Sequence, residues 1–159
     1  MRGSRRPLAS LTAELLATWF LVGRAGIAPG TWGSLAALPF GWAILALGNP
    51  AILASAAAGL LVVGIWASER YATEIAAKDP GSVVVDEVVG QWIALLPATL
   101  SPDQFLVAFV AFRVMDIAKP WPAGWMDRRL SGGLGIMLDD VFAGIYAAAI
   151  VYLYRITLG

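Results

Sequence analysis

The sequence predicts an all-α fold, a small polytopic bundle of membrane helices. Of its 159 residues, 59% are hydrophobic and only 14% are charged, and the mean hydropathy is +0.74. Soluble domains are about 45–50% apolar and about 25% charged, so this composition is typical of a membrane protein. In addition, no charged residue occurs from Ala25 to Ser68. We expect a single membrane-embedded domain, 1–159, with about four to five membrane helices and an N-terminal interfacial or re-entrant amphipathic helix.

The composition also excludes several kinds of chemistry. The chain contains no cysteine and no histidine, which excludes disulfides, thiolate catalysis, Cys-ligated metals and imidazole as a base or nucleophile. The formal net charge is zero and no long basic arm is present, so nucleic acid is not an expected partner. Any reaction must therefore use carboxylates, hydroxyls, Lys, Arg or a bound metal ion.

The first segment, 8–22, has apolar residues at helical spacing. It is about fifteen residues long, shorter than the roughly 20 that a membrane-spanning helix needs, so we expect an interfacial or re-entrant amphipathic helix. A tilted crossing helix that buries Glu14 within the bundle is the alternative. The basic residues Arg2, Arg5 and Arg6 precede this segment as in a signal peptide, but Glu14 interrupts the apolar run and no small-residue cleavage site follows. We interpret the segment as retained.

The rest of the chain alternates apolar segments with turn signals. Glycines break the first helix, a Gly-Asn-Pro turn at 48–50 joins two membrane helices, and Pro97 together with Ser101-Pro102-Asp103 ends the next one. Asp139 and Asp140 suit a helix N-terminus electrostatically, which places the start of the last helix there. The expected elements are a glycine-rich loop at 23–34, helices at 35–47, 51–68, 83–100 and 104–117, a non-helical connection at 119–138, and a last helix at 141–154.

The positions of the cationic residues predict the orientation. If the first segment does not cross and the next four helices form two hairpins, the N-terminus and the stretches 24–34, 69–87 and 113–140 share one face. Of the eleven Lys and Arg residues, only Arg155 lies outside that face. Lys and Arg are enriched in cytoplasmic loops, so we expect that face to be cytoplasmic.

Four polar clusters converge on this face. Their carboxylates outnumber what the neighbouring Lys and Arg residues need for pairing, and oxygen-rich clusters without His or Cys suit Mg²⁺ or Mn²⁺. Glycine-rich loops and cationic side chains beside a hard cation are typical of a phosphate site. The clusters are the loop from Gly30 to Ser34, Asp79 with Asp86 and Glu87, the group Arg113, Asp116, Lys119 and Asp127, and the pair Asp139 and Asp140.

Four spaced motifs carry a resemblance to a known family. They are Gly30-Thr31-Trp32-Gly33-Ser34-Leu35, Asp79-Pro80 with Asp86-Glu87-Val88-Val89-Gly90, Phe112-Arg113 with Asp116-Ile117-Ala118-Lys119-Pro120-Trp121-Pro122, and Gly132-Gly133 through Gly135-Ile136-Met137-Leu138-Asp139-Asp140 with Ala143-Gly144. In this order they resemble the phosphatidylglycerophosphatase A family. The first 25 residues lie outside the resemblance, and Met115 departs from it where many members have an aromatic residue.

The resemblance implies a Mg²⁺-dependent lipid phosphatase, multi-pass in the bacterial inner membrane, with its active site facing the cytoplasm. Its substrate among the membrane lipids would be phosphatidylglycerophosphate. Removal of the terminal phosphate would give phosphatidylglycerol, a step of phospholipid biosynthesis. The absence of His and Cys agrees with this interpretation, because histidine-based lipid phosphatases and cysteine phosphatases cannot be built from this chain.

The resemblance also suggests roles for individual residues. The residues expected to hold Mg²⁺ are Asp86, Glu87, Asp139 and Asp140. The expected catalytic residues are Asp86, Glu87, Asp127 and Asp79, the last two as further ligands or as a base that orients water. The residues expected to contact the phosphate are Arg113 and Lys119, with Thr31 and Ser34 adding hydroxyl or backbone contacts. Direct attack by water is favoured over an aspartyl-phosphate intermediate, and the sequence does not decide between them.

Other classes of membrane protein fit the residues alone. Interfacial carboxylates bind the transported ion in small transporters or channel subunits, and they form packing ion pairs in assembly subunits. A transporter more often shows internal repeats and charges near mid-helix, whereas here the charges gather at helix ends. A CDP-alcohol phosphotransferase is the nearest enzymatic rival, but its longer aspartate signature is missing. Small residues on the helix faces also allow pairing into a homo-oligomer.

Overall fold

The structure, a computed structural model, describes residues 8–158 and confirms the all-α fold, because every regular element among these residues is helical. The helices are α1 (Leu8–Ala17), α2 (Pro29–Leu47), α3 (Pro50–Glu74), α4 (Val85–Ala94), α5 (Pro102–Ala118), α6 (Ala123–Arg129) and α7 (Gly132–Thr157), with a 3₁₀ turn at Val22–Arg24. By length and composition, three of them are able to cross a membrane: α2, α3 and α7. The predicted membrane bundle is confirmed. Among the described residues, however, three helices meet this criterion, fewer than the expected four to five.

The N-terminal helix is shorter than predicted. α1 covers ten residues, about 15 Å at 1.5 Å per residue, which is too short to cross a bilayer. It ends because Trp19, Phe20 and Leu21 have positive φ angles of 45°, 55° and 71°, a region that an α-helix does not use. Glu14 is buried, as the alternative of a crossing helix expected, but it lies on this short helix and forms an ion pair with Arg24.

The predicted glycine-rich loop at 23–34 is wrong for its second half. α2 already begins at Pro29, after Ala28 in a left-handed conformation with φ 49°. Proline is favoured at the first helical position, because its fixed φ suits the helix and its missing N–H has no partner there. The Gly-Asn-Pro turn at 48–50 is present as predicted, and the Asn49 side chain accepts hydrogen bonds from the N–H groups of Ala51 and Ile52.

α4 is a short buried helix at the centre of the bundle. The predicted helix at 83–100 is wrong in length, since α4 ends at Ala94. It packs against α7, α2, α3 and α5. A Cβ atom on Gly144 would lie 2.5 Å from the carbonyl oxygen of Gly90, so these two glycines are required for α4 and α7 to approach this closely. Asp86 lies one helical turn before Gly90, and Asp140 lies one helical turn before Gly144. The contact between the two glycines therefore brings these two carboxylates close together.

The last helix begins seven residues earlier than the position at which Asp139 was expected to open it. α7 starts at Gly132, and α6 occupies part of the stretch 119–138 that was predicted to be non-helical. The start is fixed by Glu69 of α3, whose carboxylate accepts the N–H of Gly133. A carboxylate at a helix N-terminus satisfies free N–H groups and interacts favourably with the helix dipole. Asp139 and Asp140 therefore lie in the interior of α7.

The two ends of the bundle differ in chemistry. At one end, Tyr154 donates a hydrogen bond to Asp103 at 3.0 Å, and Arg155 donates to the carbonyl of Pro97 at 3.0 Å. These contacts join the C-terminal part of α7 to the first turn of α5 and to the connection between α4 and α5. The opposite end gathers the start of α2, the start of α4, the end of α5 and the acidic turn of α7. The candidate site lies there.

Candidate active site

A polar cavity of about 280 Å³ lies at this end of the bundle. Its wall comes from four parts of the chain that are distant in sequence: the start of α2, the stretch from Asp79 into α4, the end of α5 and α7. The residues that line it are Ala28, Pro29, Gly30, Asp79, Pro80, Gly81, Val83, Asp86, Glu87, Arg113, Asp116, Lys119, Asp139 and Asp140. The predicted convergence of the acidic clusters is thus present in the structure.

Three carboxylates meet within the cavity. Asp86, Glu87 and Asp140 each offer an oxygen, and these oxygens all lie within 4.8 Å of one another. Asp86 and Glu87 lie in the first turn of α4, where the helix dipole favours anions. Glu87 Oε2 is buried and has no hydrogen-bond partner among residues 8–158. Such an arrangement fits a hard cation, because carboxylate oxygens are the ligands that Mg²⁺ prefers and His and Cys are absent.

The electrostatics of the pair at the start of α4 also favour a cation. Burial raises the pKa of Asp86 well above its usual range, and the adjacent Glu87 raises it further. Burial also raises the pKa of Glu87. In both cases the charged form is disfavoured by loss of water and by like charges. A bound cation would reverse both effects and keep the two carboxylates ionised.

Two cationic side chains flank the carboxylates from the end of α5. Arg113 lies 2.6 Å from Asp116 and 4.0 Å from Glu87. Lys119 donates to Asp139 at 2.7 Å, and its φ of 44° ends α5 and turns the chain toward α6. A cation is favourable at a helix C-terminus. The two side chains therefore give the cavity wall positive charge beside its acidic centre.

The start of α2 forms the part of the cavity wall that lies against Glu87 and Arg113. Gly30 packs directly on the acidic centre, since a Cβ atom at this position would lie 2.1 Å from Glu87 Oε1 and 3.2 Å from Arg113 Nη1. The N-termini of α2 and α4 both lie at the cavity. Free N–H groups at a helix N-terminus favour the binding of phosphate. Gly30 thus allows a helix N-terminus to approach the carboxylates closely.

Most of the predicted site residues are brought together, with four differences. Asp139 lines the cavity but lies against Lys119, outside the group formed by Asp86, Glu87 and Asp140. Thr31 and Ser34 are not part of the wall. Ser34 is buried, donates to the carbonyl of Gly30 at 2.8 Å and lies 3.5 Å from Arg113. Asp127 belongs to α6, and its side chain lies outside the part of the chain that the structure describes.

Two residues were given no role by the sequence analysis. Asp116 lines the cavity and pairs with Arg113, so it is a member of the site. Gln91 lies one turn below Glu87 on α4 and is fully buried, and neither of its side-chain polar atoms has a partner among residues 8–158. A polar residue within the apolar run from Val88 to Ile93 was the available signal for Gln91.

The orphaned amide of Gln91 leads to a prediction about stability. An unsatisfied buried polar group costs about 1–3 kcal/mol, and methionine is unbranched and of similar length. We expect Gln91→Met to raise the free energy of unfolding by about 1 kcal/mol, as measured by denaturation in detergent. Gln104→Met is the matched control, because Gln104 is also buried but accepts the N–H of Thr99 at 2.8 Å. That control should destabilise the protein, and a destabilised Gln91→Met variant would contradict the prediction.

Comparison with known proteins identifies the family. The sequence model of the phosphatidylglycerophosphatase A family matches residues 15–155. The chain belongs to this family. The resemblance seen in the four motifs is therefore confirmed, and so is the expectation of an enzyme of the phosphatase class. The family membership and the three apolar helices together indicate a membrane enzyme.

Relatives of known name support the assignment. Phosphatidylglycerophosphatase A of Escherichia coli K12 is 42% identical over 141 residues, which cover 87% of this chain and 81% of that protein. Phosphatidylglycerophosphatase A of Haemophilus influenzae is 40% identical over 140 residues, 87% of this chain and 86% of that protein. A Bacteroides thetaiotaomicron protein named "Putative phosphatidylinositol-3-phosphatase" is 37% identical over 163 residues, 98% of this chain and 99% of that protein. No solved structure matches this member of the family.

Proposed function

We propose that this protein is a Mg²⁺-dependent phosphatidylglycerophosphatase of the bacterial inner membrane. It would hydrolyse phosphatidylglycerophosphate to phosphatidylglycerol and phosphate. The observation that carries the proposal is the meeting of Asp86, Glu87 and Asp140 beside Arg113 and Lys119 in one cavity. Relatives 40–42% identical to the chain bear the name of this activity.

The residues present fit a divalent cation. Asp86, Glu87 and Asp140 would hold it, and the partnerless Glu87 Oε2 is a ready ligand atom. Asp139 lies next to this group along α7 and is a further candidate. When bound, Mg²⁺ would supply positive charge to the phosphoryl oxygens and lower the pKa of a water molecule. A carboxylate-only ligand set without His or Cys suits this ion better than softer metals.

The cationic residues would hold and orient the phosphate group. Arg113 and Lys119 now pair with Asp116 and Asp139, and we propose that they share these contacts with phosphate oxygens when the lipid binds. The N–H group of Gly30, in the first turn of α2, would add one hydrogen-bond donor. Positioning of this kind, together with electrostatic stabilisation, provides most of the catalysis in phosphoryl transfer.

The reaction we propose is a direct displacement by water. The water oxygen forms a bond to phosphorus, the ester P–O bond breaks, and the lipid glycerol oxygen leaves and takes up a proton from solvent. Asp79 would accept the proton of the attacking water, because its exposed side chain lies at the rim of the cavity. Asp127 was predicted for the same role and remains a candidate.

We further propose that the site faces the cytoplasm. Arg113 and Lys119 lie at the cavity, whereas Arg155 lies at the opposite end of the bundle near Pro97. An excess of Lys and Arg marks the cytoplasmic side of membrane proteins. This distribution supports an active site that acts on lipid in the cytoplasmic leaflet.

The experiment that tests the function is phosphate release by the detergent-purified protein from three lipids at equal mole fraction. The lipids are phosphatidylglycerophosphate, phosphatidic acid and phosphatidylinositol 3-phosphate, the last because of the name of the Bacteroides relative. We expect fastest release from phosphatidylglycerophosphate, its loss in EDTA and its return with added Mg²⁺. Faster release from the phosphoinositide would overturn the substrate, and no release from any lipid would favour an ion-binding transport or assembly role.

A further inference from the structure

An apolar groove adjoins the candidate site on the side of α6 and α7. It has a volume of about 680 Å³. Its walls are the residues at the start of α6 and one face of α7: Trp121, Pro122, Trp125, Met126, Phe142, Ile145 and Tyr146. Tyr146 donates a hydrogen bond to the carbonyl of Trp121 at 2.7 Å. This contact ties the two walls together, so the groove is a defined feature of the fold. We refer to it as the α6–α7 groove.

The α6–α7 groove lies next to the Lys119 side of the cavity. Phe142 and Tyr146 follow Asp139 by three and seven residues on α7, so all three lie near one face of the helix. On the other wall, Trp121 follows Lys119 by two residues, and Lys119 contacts Asp139 at 2.7 Å. The groove therefore starts beside the Lys119–Asp139 pair and follows α7 away from the carboxylates, into the apolar part of a membrane-spanning helix.

A second apolar groove allows the position of the α6–α7 groove relative to the site to be compared. It has a volume of about 490 Å³ and lies between α2 and α5. Its lining includes Leu100, Ser101 and Pro102 around the start of α5, at the end of the bundle opposite Lys119, and extends to Leu35 of α2 and Phe109 of α5. Along the chain, the α6–α7 groove comes within two residues of a cationic residue of the cavity, Trp121 beside Lys119, whereas the α2–α5 groove comes within four, Phe109 before Arg113.

We propose that the α6–α7 groove binds an acyl chain of the lipid whose phosphate occupies the cavity. This inference rests on the proposed function and adds to it a second binding site of different chemistry. A phosphorylated glycerolipid combines a polar head and apolar chains in one molecule, and the structure places an apolar groove beside a polar cavity. Binding of a remote, non-reacting part of a substrate helps to position the reacting group.

The test is to fill the groove and compare substrates of different chain length. Ile145→Trp places a larger side chain in the groove, and Ile156→Trp is the matched control, because Ile156 lies on the same helix outside the groove and the two side chains are 49% and 60% exposed. For Ile145→Trp we expect KM for long-chain phosphatidylglycerophosphate to rise about tenfold, with an unchanged KM for the dihexanoyl analogue. The control should match the wild type with both substrates.

Two outcomes would overturn the inference. One is an Ile145→Trp variant that is indistinguishable from the Ile156→Trp control, and the other is an equal change of KM for both chain lengths. A direct readout is photocrosslinking of a long-chain analogue with a mid-chain diazirine to the wild-type protein, with label expected on α6 and α7. Label confined to the α2–α5 groove would contradict the proposal. A wild type without phosphatase activity would defeat the proposed function, but it would leave the crosslinking result interpretable.

Discussion

Asp86→Asn should lower kcat for phosphatidylglycerophosphate by about 10³-fold while the protein remains folded. Asp86 belongs to the group of three carboxylates whose oxygens lie within 4.8 Å of one another. The amide keeps the shape of the side chain but removes its negative charge and leaves one neutral oxygen as a possible ligand. Because the buried carboxylates repel each other, the substitution should not lower the melting temperature measured without metal.

The control for this substitution is Asp103→Asn. Asp103 is an exposed carboxylate at the start of α5, bonded to Tyr154 at the opposite end of the bundle. The same chemical change there should leave kcat within about twofold of the wild type. Phosphate release should be measured in mixed micelles at saturating lipid. An Asp86→Asn variant with near wild-type kcat would show that this carboxylate is not required for catalysis.

Gly30→Ala should lower kcat by about 10²-fold with little loss of stability, since a misplacement of about 1 Å in a site can have an effect of this size. The new Cβ atom would lie 2.1 Å from Glu87 Oε1. That oxygen is at the end of a flexible side chain, so the helix backbone keeps its position and the carboxylate moves. The displaced Glu87 would lose its alignment with Asp86 and Asp140.

Gly59→Ala is the matched control for Gly30→Ala. Gly59 lies within α3, and apart from its chain neighbours and the adjacent backbone of its own helix, a Cβ atom there would have no atom within 4 Å among the described residues. Activity and melting temperature should match the wild type or rise slightly, because alanine is favoured over glycine within helices. Full activity of Gly30→Ala would contradict the close packing of α2 against Glu87. If Gly30→Ala loses activity because the protein unfolds, Gly30 is required for the stability of the fold and not specifically for the geometry of the site.

The sequence is sufficient to predict the acidic cluster of the site but not the helix boundaries around it. Adjacent carboxylates at the ends of apolar segments predict an acidic cluster on one face, and Asp86, Glu87 and Asp140 meet there. The start of α7 could not be predicted in the same way. It depends on Glu69, a residue 64 positions earlier that accepts the N–H of Gly133, and a contact between distant residues leaves no local pattern.

The residues of the Gly30–Ser34 motif show why a motif predicts a location better than an atomic role. The motif was expected to be a loop whose hydroxyl groups contact phosphate. In the structure these residues form the first turns of α2, and the Ser34 hydroxyl donates a hydrogen bond to the carbonyl of Gly30, one turn earlier in the same helix. The important feature of the motif is instead the missing side chain of Gly30. Similarly, the contact between Gly90 and Gly144 brings Asp86 and Asp140, each one turn earlier, to the same height in the bundle. The sequence alone does not show that these two glycines are in contact.

The measurement that tests the central claim most directly is Mn²⁺ binding followed by electron paramagnetic resonance, with Mn²⁺ as a spectroscopic substitute for Mg²⁺. The wild type and the Asp103→Asn control should reduce the signal of free Mn²⁺ stoichiometrically, and excess Mg²⁺ should restore it. The Asp86→Asn variant should bind Mn²⁺ at least tenfold more weakly, because one of three charged ligands is lost. If the titration curve of Asp86→Asn superposes on that of the wild type, the carboxylate cluster does not hold the metal ion.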